Sequence, residues 1–282
     1  MTESPVLIKN YLPTMNRSEI FLVMVSGMGT IAGSVMGTYI GMLGGTDPAA
    51  KVLFATHLLS ASVMAVPGSI VLAKMLCPQT EEATDHVAIS GKEKENSNIL
   101  DAISSGTVTG VKLMTNIAAM LLVFISLVAL ANYITEGVIG RYTGLNDWIV
   151  KITDGKAQGL TFQFILGVIT SPFMWLIGVP SQDIMLVGSL LGQKTILNEF
   201  VAYFQLQQWK DAGLFMYEKS ILMSTYILCG FANISSIGIL LGGLGVLAPE
   251  KRGLISRIGL PAMIGGALVS VLSATIIGMI LG

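Results

Sequence analysis

The feature that most constrains this chain is a series of long stretches without a charged residue. The clearest of them are Phe21–Thr46, Leu113–Thr135 and Ile258–Leu281. A helix needs roughly 20 apolar residues to cross the hydrocarbon core of a bilayer, and it satisfies its own backbone hydrogen bonds there. Only 12% of the residues are charged, whereas a soluble domain carries about a quarter. The sequence therefore predicts an all-α, multi-pass integral membrane protein.

The segments between the apolar stretches differ in polarity. Residues 79–98 and 136–156 are rich in polar and charged side chains and predict solvated links. Residues 99–111 are amphipathic enough to lie at the membrane interface, ahead of a plain membrane-crossing helix. Asp183–Leu206 is unusual because charged residues divide it into halves that are each too short to cross a bilayer. A re-entrant hairpin of two short helices fits this pattern.

Charge and composition argue against several classes of function. The net charge is −1, so the chain lacks the basic surface of a nucleic-acid-binding protein. Cys77 and Cys229 lie at the end of and within apolar stretches, and His57 and His86 are far apart in sequence. We therefore expect no metal centre built from cysteine or histidine, and no cofactor. A membrane-embedded hydrolase would need a nucleophile with a base, or metal ligands, so we expect no enzyme.

Two parts of the chain resemble each other. Residues 26–37 read "SGMGTIAGSVMG" and follow the carboxylate of Glu3, whereas residues 229–240 read "CGFANISSIGIL" and follow that of Glu199. The aligned pairs are Gly27 with Gly230, Thr30 with Asn233 and Ile31 with Ile234. Each unit is thus a carboxylate on a short apolar segment, followed by a membrane span whose centre is small and polar.

The small, polar centres predict places where a helix unwinds. Glycine and serine weaken a helix, and the freed carbonyls then need other partners, such as a cation or a polar solute. Paired spans with such interruptions are typical of the binding site of a secondary transporter. Close helix packing could account for Gly33 and Gly37. It does not account for Asn233 or the two glutamates, because a charge inside the membrane costs at least about 2.5 kcal/mol.

The second repeat carries a specific resemblance. "LLGQKTILNEFVAY" at 190–203, followed by "CGFANISSIGILLGGL" at 229–244, resembles the concentrative nucleoside transporter family. Gly192, Lys194 and Asn198–Tyr203 fulfil the family pattern completely. Residues 2–35 also resemble the end of the family's first hairpin and the helix after it.

The resemblance implies the architecture of the chain. It implies a homotrimer whose subunits have a scaffold and a mobile transport domain, in the plasma membrane or bacterial inner membrane. The transport domain would be an inverted repeat of re-entrant helical hairpins and partly unwound transmembrane helices. Residues 1–77 would hold the end of the first hairpin and two transmembrane helices, and 78–98 a polar loop. Residues 99–158 would hold an interfacial helix, a long scaffold helix and a polar link, and 159–282 the second hairpin repeat with two final helices.

The resemblance also implies which residues form the binding site. The ribose would be held by Glu199, Asn233 and Ser236, and the nucleobase would be hydrogen-bonded by Thr2 and Glu3. The apolar side of the base pocket would be lined by Val35 and Phe231. Sodium would be ligated by the side chain of Thr30 and the carbonyl of Ile31. An ionised carboxylate is a strong acceptor for vicinal hydroxyls, which agrees with these roles.

The first residues depart from the family pattern. The family has Gly-Gln before Thr-Glu, and here Met1 stands at the position of the glutamine. We therefore expect the chain to be a C-terminal portion of an ion-coupled nucleoside symporter, inactive by itself. Sodium is favoured over a proton as the coupling ion. The alternatives are a transporter of another solute with the same fold and an inert truncated subunit, and the sequence leaves the choice of pyrimidine or purine open.

Overall fold

The regular structure of this computed structural model is helical, and the described residues contain no strand. The structure describes Ile8 and residues 11–81, 98–153, 155 and 157–282. The chain divides into two compact units. One unit contains the described residues up to 81 together with Gln163–Gly282, and the other contains the described residues from 98 to 162. The prediction of an all-α protein is confirmed.

The helices are numbered here in chain order. They are α1 (Arg17–Gly29), α2 (Gly33–Gly44), α3 (Pro48–Leu76), α4 (Ile99–Asn132), α5 (Arg141–Thr143), α6 (Leu145–Ile152), α7 (Phe162–Leu176), α8 (Ile184–Ile196), α9 (Glu199–Asp211), α10 (Glu218–Leu228), α11 (Ile234–Leu247) and α12 (Arg252–Ile280). A π-helix spans Tyr133–Gly140 and a 3-10 helix spans Pro249–Lys251.

Side-chain caps determine where the first helices begin. Asn16 accepts a hydrogen bond from the backbone N–H of Glu19 at 3.0 Å, and Glu19 accepts one from the backbone N–H of Asn16 at 2.8 Å. Asp47 accepts from the N–H of Ala49 at 2.9 Å, and Pro48 occupies the first position of α3. Each such cap contributes about 1 kcal/mol to helix stability. The local sequence therefore determines where α1 and α3 begin.

Helix α12 lies at the centre of the first unit and packs on α1, α3, α10 and α11. Its glycines allow this close approach. A Cβ atom at Gly259 would lie 2.7 Å from Ile237 Cγ2, and one at Gly266 would lie 2.8 Å from Met28 Cβ. Small residues at helix contacts are the usual means of close packing inside a membrane.

Three segments of the described chain are long and apolar enough to cross a membrane: Arg17–Gly44, Pro48–Leu76 and Pro249–Ile280. The exposed side of α3 includes Leu59 and Val63, which are apolar. A helix surface of this kind suits contact with lipid rather than water. These observations support a membrane protein.

The second unit differs from the sequence-based expectation. The sequence predicts an interfacial helix over residues 99–111 that is separate from a membrane-crossing helix, but α4 runs without a break from Ile99 to Asn132. The π-helix, α5 and α6 then occupy much of the predicted polar link. Gly106 and Gly110 each cost a helix only about 1 kcal/mol and no proline lies between the two parts, so a change in polarity does not end the helix.

Candidate functional site

The second interrupted helix is the centre of the candidate site. Helix α10 ends at Leu228 and α11 begins at Ile234. Gly230 lies between them with a φ of 141°, a backbone conformation that favours glycine. Asn233 then caps α11 by accepting a hydrogen bond from the N–H of Ser236 at 2.9 Å. This break between α10 and α11 is called the second break below.

Glu199 lies against the second break. It is the first residue of α9, its exposed fraction is 7%, and it accepts a hydrogen bond from Asn233 Nδ2 at 3.0 Å. Its position at a helix N-terminus stabilises a negative charge. A buried carboxylate paired with an amide rather than a cation is a costly arrangement, which is typical of functional sites.

The amide of Asn233 is held in one orientation. Its Oδ1 accepts from Ser235 Oγ at 2.7 Å, from Ser236 Oγ at 3.0 Å and from the Ser236 backbone N–H at 2.9 Å. Since donors surround Oδ1, the Nδ2 group is directed at Glu199. The predicted residues Glu199, Asn233 and Ser236 therefore form one hydrogen-bonded group.

The first interrupted helix provides the other half of the candidate site. Helix α1 ends at Gly29 and α2 begins at Gly33. Thr30, between them, donates a hydrogen bond from Oγ1 to the carbonyl of Ser26 at 2.8 Å, and Ile31 is buried with 8% exposure. This break between α1 and α2 is called the first break below.

The two breaks touch each other. A Cβ atom at Gly230 would lie 3.0 Å from the carbonyl oxygens of Met28 and Gly29 and 3.0 Å from Ser270 Oγ. The backbone of the second break therefore packs directly on the carbonyl end of α1. Sequence comparison of the repeats predicts both breaks but not this contact, because the contact depends on how α12 brings α1 and α10 together.

Aromatic and aliphatic side chains form an apolar wall beside these polar groups. Val35 and Phe231 are half-buried and pack against the cluster that contains Ile31. Tyr39 and Tyr203 in the same cluster stack with ring centroids 4.0 Å apart. The predicted base-pocket residues Val35 and Phe231 therefore belong to the same apolar cluster as Ile31 of the first break.

The structure also shows residues to which the sequence assigned no role. Tyr203 donates from its hydroxyl to the carbonyl of Thr225 at 2.8 Å. Lys194 is fully buried and donates to the carbonyl of Ile227 at 2.8 Å and to Ser270 Oγ at 3.0 Å. The sequence does mark the position of Lys194, because this single lysine directly follows ten residues without a charge. The predicted residues Thr2 and Glu3 lie outside the described residues.

Comparison with known proteins decides the family. Residues 57–278 match the family described as "Na+ dependent nucleoside transporter C-terminus". The chain belongs to the concentrative nucleoside transporter family. This match confirms the family resemblance indicated by the motif around Asn198–Tyr203. The relatives of the chain are named as transporters and permeases rather than enzymes.

Several relatives of this concentrative nucleoside transporter chain are similar along its whole length. An "Uncharacterized transporter" of Haemophilus influenzae is 39% identical, covering 100% of this chain and 63% of the relative. "Nucleoside permease NupC" of Helicobacter pylori is 38% identical over 100% of this chain and 62% of its own length. "Sodium/nucleoside cotransporter 1" of Rattus norvegicus is 39% identical over 99% of this chain and 42% of its own length.

Solved structures of the concentrative nucleoside transporter family show the same fold. "CNTnw in an inward-facing substrate-bound state" has a TM-score of 0.83 and 36% sequence identity, and the match covers 100% of this chain and 62% of the other. A doubly substituted variant of CNTnw "in an outward-facing state" has a TM-score of 0.84 at 36% identity, over 98% of this chain and 62% of the other. This chain therefore spans less than two thirds of the length of these relatives.

Proposed function

We propose that this chain forms the solute-binding part of a nucleoside symporter that is coupled to sodium rather than to protons, in the cell membrane. The observation that carries the proposal is the buried pair of Glu199 and Asn233 at the second break, 3.0 Å apart. Membership of a family of nucleoside transporters supports the choice of solute.

Glu199, Asn233 and Ser236 hold the ribose in this proposal. A carboxylate has about four acceptor sites, and one oxygen of Glu199 already accepts from Asn233. The remaining acceptor sites suit the two vicinal hydroxyls of a ribose, which are hydrogen-bond donors. Hydrogen bonds to a charged acceptor contribute about 1.5–3 kcal/mol each, which is enough to select a sugar-bearing solute.

The apolar wall receives the base. Val35 and Phe231 contribute to it from the two interrupted helices. Small-molecule sites are mostly apolar, with a few polar groups that fix orientation. We assign those polar groups to Thr2 and Glu3, as the family resemblance implies.

Thr30 and Ile31 bind the coupling sodium ion. The hydroxyl of Thr30 uses its hydrogen to donate to Ser26, so its oxygen lone pairs are available to a cation. The site lies at the C-terminal end of α1, where the helix dipole favours positive charge. Because Gly230 touches the carbonyls of Met28 and Gly29, the ion site adjoins the solute site, which supports coupling between the two.

The same proposal extends to the membrane arrangement. Helices α8 and α9 pack against each other and meet at Leu197 and Asn198, where Asn198 caps α9 by accepting from the N–H of Val201 at 2.9 Å. Each helix has 13 residues, or about 20 Å at 1.5 Å per residue. This is shorter than a bilayer core of about 30 Å. We assign the pair to a re-entrant hairpin, in a protein that assembles as a homotrimer.

We expect uridine uptake to require sodium. The 282-residue chain is assayed in proteoliposomes, alone and as a fusion in which it replaces the matching region of the Haemophilus influenzae relative. Replacing sodium with choline should lower uptake by roughly 5- to 150-fold, the range of a typical coupling free energy. Uptake that persists in choline and rises with an inward proton gradient would argue for proton coupling. Uptake of neither uridine nor adenosine by the fusion would refute the nucleoside assignment.

Replacing Thr30 with valine should weaken the sodium dependence specifically. The change keeps the shape of the side chain but removes a ligand oxygen, so the sodium concentration for half-maximal uptake should rise by roughly tenfold or more. Uptake at saturating sodium should change less. Thr38→Val, at an exposed position of α2, is the matched control. Equal sodium dependence in the two variants would remove Thr30 from the ion site.

A further inference from the structure

Lys194 is the group in this site whose role the proposed function leaves open. Its side chain has no exposed surface, although it ends in an ammonium group. The ammonium donates to the carbonyl of Ile227 at 2.8 Å and to Ser270 Oγ at 3.0 Å. Within the described part of the chain, no carboxylate forms an ion pair with it. A buried cation held by neutral oxygens is expensive, which argues for a functional reason to keep it.

The ammonium lies at the carbonyl end of α10. This helix ends at Leu228, one residue after the carbonyl that Lys194 binds. Ser270, the second acceptor, donates in turn to the carbonyl of Cys229 at 2.8 Å. The carbonyls of Ile227 and Cys229, on either side of the last residue of α10, are thus held by Lys194 directly and through Ser270. A positive charge at a helix C-terminus is stabilising, because the carbonyls there carry partial negative charge.

The two breaks are alike at one carbonyl but differ in their bound cations. In the repeat register, Ser26 aligns with Cys229. Each of these two carbonyls accepts from a neutral hydroxyl at 2.8 Å, that of Thr30 in the first break and that of Ser270 in the second. Among the residues that the structure describes, no lysine or arginine donates to the carbonyl end of α1. Within the described residues, a side-chain ammonium therefore binds at the end of α10, before the second break, and none binds at the end of α1.

Lys194 is also connected to the carboxylate of the site through the turn between α8 and α9. Lys194 lies in the last turn of α8, and Glu199 begins α9 directly after Leu197 and Asn198. Glu199 in turn accepts from Asn233, the last residue of the second break. Lys194 thus binds the carbonyl end of α10 and lies on the helix that leads into the acid on α9.

We propose that Lys194 is an internal cation of the second break. Its ammonium fixes the carbonyl end of α10 and offsets the buried charge of Glu199, so that Glu199 and Asn233 keep the geometry that receives the solute. Lys194 is a positioning residue, since it contacts the backbone and Ser270. Only the statement about the solute rests on the proposed function.

Chemical rescue of Lys194→Ala tests this proposal without a nucleoside. The variant should lower the thermal midpoint of the purified protein by roughly 5–15 °C, because it leaves buried partners without their cation. Propylammonium replaces the deleted atoms and should restore most of the midpoint, whereas propan-1-ol at the same concentration should not. Equal rescue by the alcohol, or no rescue by propylammonium, would overturn the proposal, because the role would then be packing alone.

Lys194→Met provides the second variant. It keeps all but the terminal atom of the side chain, removes the charge and leaves no space for propylammonium. Uridine affinity should fall by roughly tenfold or more, without rescue by the amine. Wild-type affinity in this variant would also overturn the proposal. Failure of the wild-type protein to bind any nucleoside would refute the proposed function instead, and the rescue of the thermal midpoint would remain a valid test of Lys194.

Discussion

Replacing Glu199 with glutamine should weaken nucleoside binding by roughly 30- to 150-fold, or about 2–3 kcal/mol. Glutamine has the same shape and can still accept the hydrogen bond from Asn233 Nδ2, which the carboxylate accepts at 3.0 Å. It loses the negative charge that strengthens hydrogen bonds from the ribose hydroxyls. The effect should therefore appear in affinity, measured by calorimetry on the purified protein, and much less in the amount of folded protein.

Glu218→Gln is the matched control for this prediction. Glu218 is an exposed residue in the first turn of α10 and is remote from the Glu199–Asn233 pair in sequence. Its replacement makes the same chemical change at the protein surface and should leave affinity unchanged. If the two variants bind uridine equally well, Glu199 does not contact the solute.

Replacing Gly230 with alanine should destabilise the protein by roughly 2–5 kcal/mol. Two costs add at this position. The φ of 141° is unfavourable for a residue with a Cβ atom, and that atom would lie 3.0 Å from the carbonyl oxygens of Met28 and Gly29. Those oxygens belong to the backbone and cannot move aside cheaply. The thermal midpoint of the purified protein should fall clearly, and sodium-dependent uptake should fall with it because the clash lies between the two breaks.

Gly238→Ala is the control for the glycine prediction. Gly238 lies inside α11, and a Cβ atom there would meet no heavy atom within 4 Å. Alanine is favoured over glycine inside a helix by about 1 kcal/mol, so this variant should be as stable as the wild type or slightly more stable. If both glycine variants have the wild-type midpoint, the two breaks do not pack on each other as described.

The described contacts explain why the sequence leads directly to part of the site. Asn198 and Asn233 each cap the helix that follows, by bonds of 2.9 Å to Val201 and Ser236. Capping is a local interaction, so a short motif is enough to specify it. The breaks themselves follow from glycine and small polar residues in the middle of apolar spans. Both features are visible in the sequence.

The sequence predicts a helix end incorrectly where only the polarity of the side chains changes, because the backbone hydrogen bonds of a helix do not depend on that polarity. The change from amphipathic to apolar composition near residue 112 predicts two helices, but α4 continues to Asn132. Nothing in that stretch removes a backbone donor or blocks the helical conformation as proline would. A boundary in polarity is therefore weaker evidence for a helix end than a cap or a proline is.

By itself, the sequence determined the class of the protein, its family motif, the two interrupted helices and the acid at position 199. These depend on residue type and short-range spacing along the chain. Only the tertiary structure decided that the backbone at Gly230 rests on the carbonyl end of α1 and that Lys194 reaches Ile227 and Ser270. The partners in these contacts are separated by 33 or more residues. They meet because the helices pack in a particular arrangement, in which glycines on α12 let α1 and α11 approach it closely, and no local pattern encodes which helices those are.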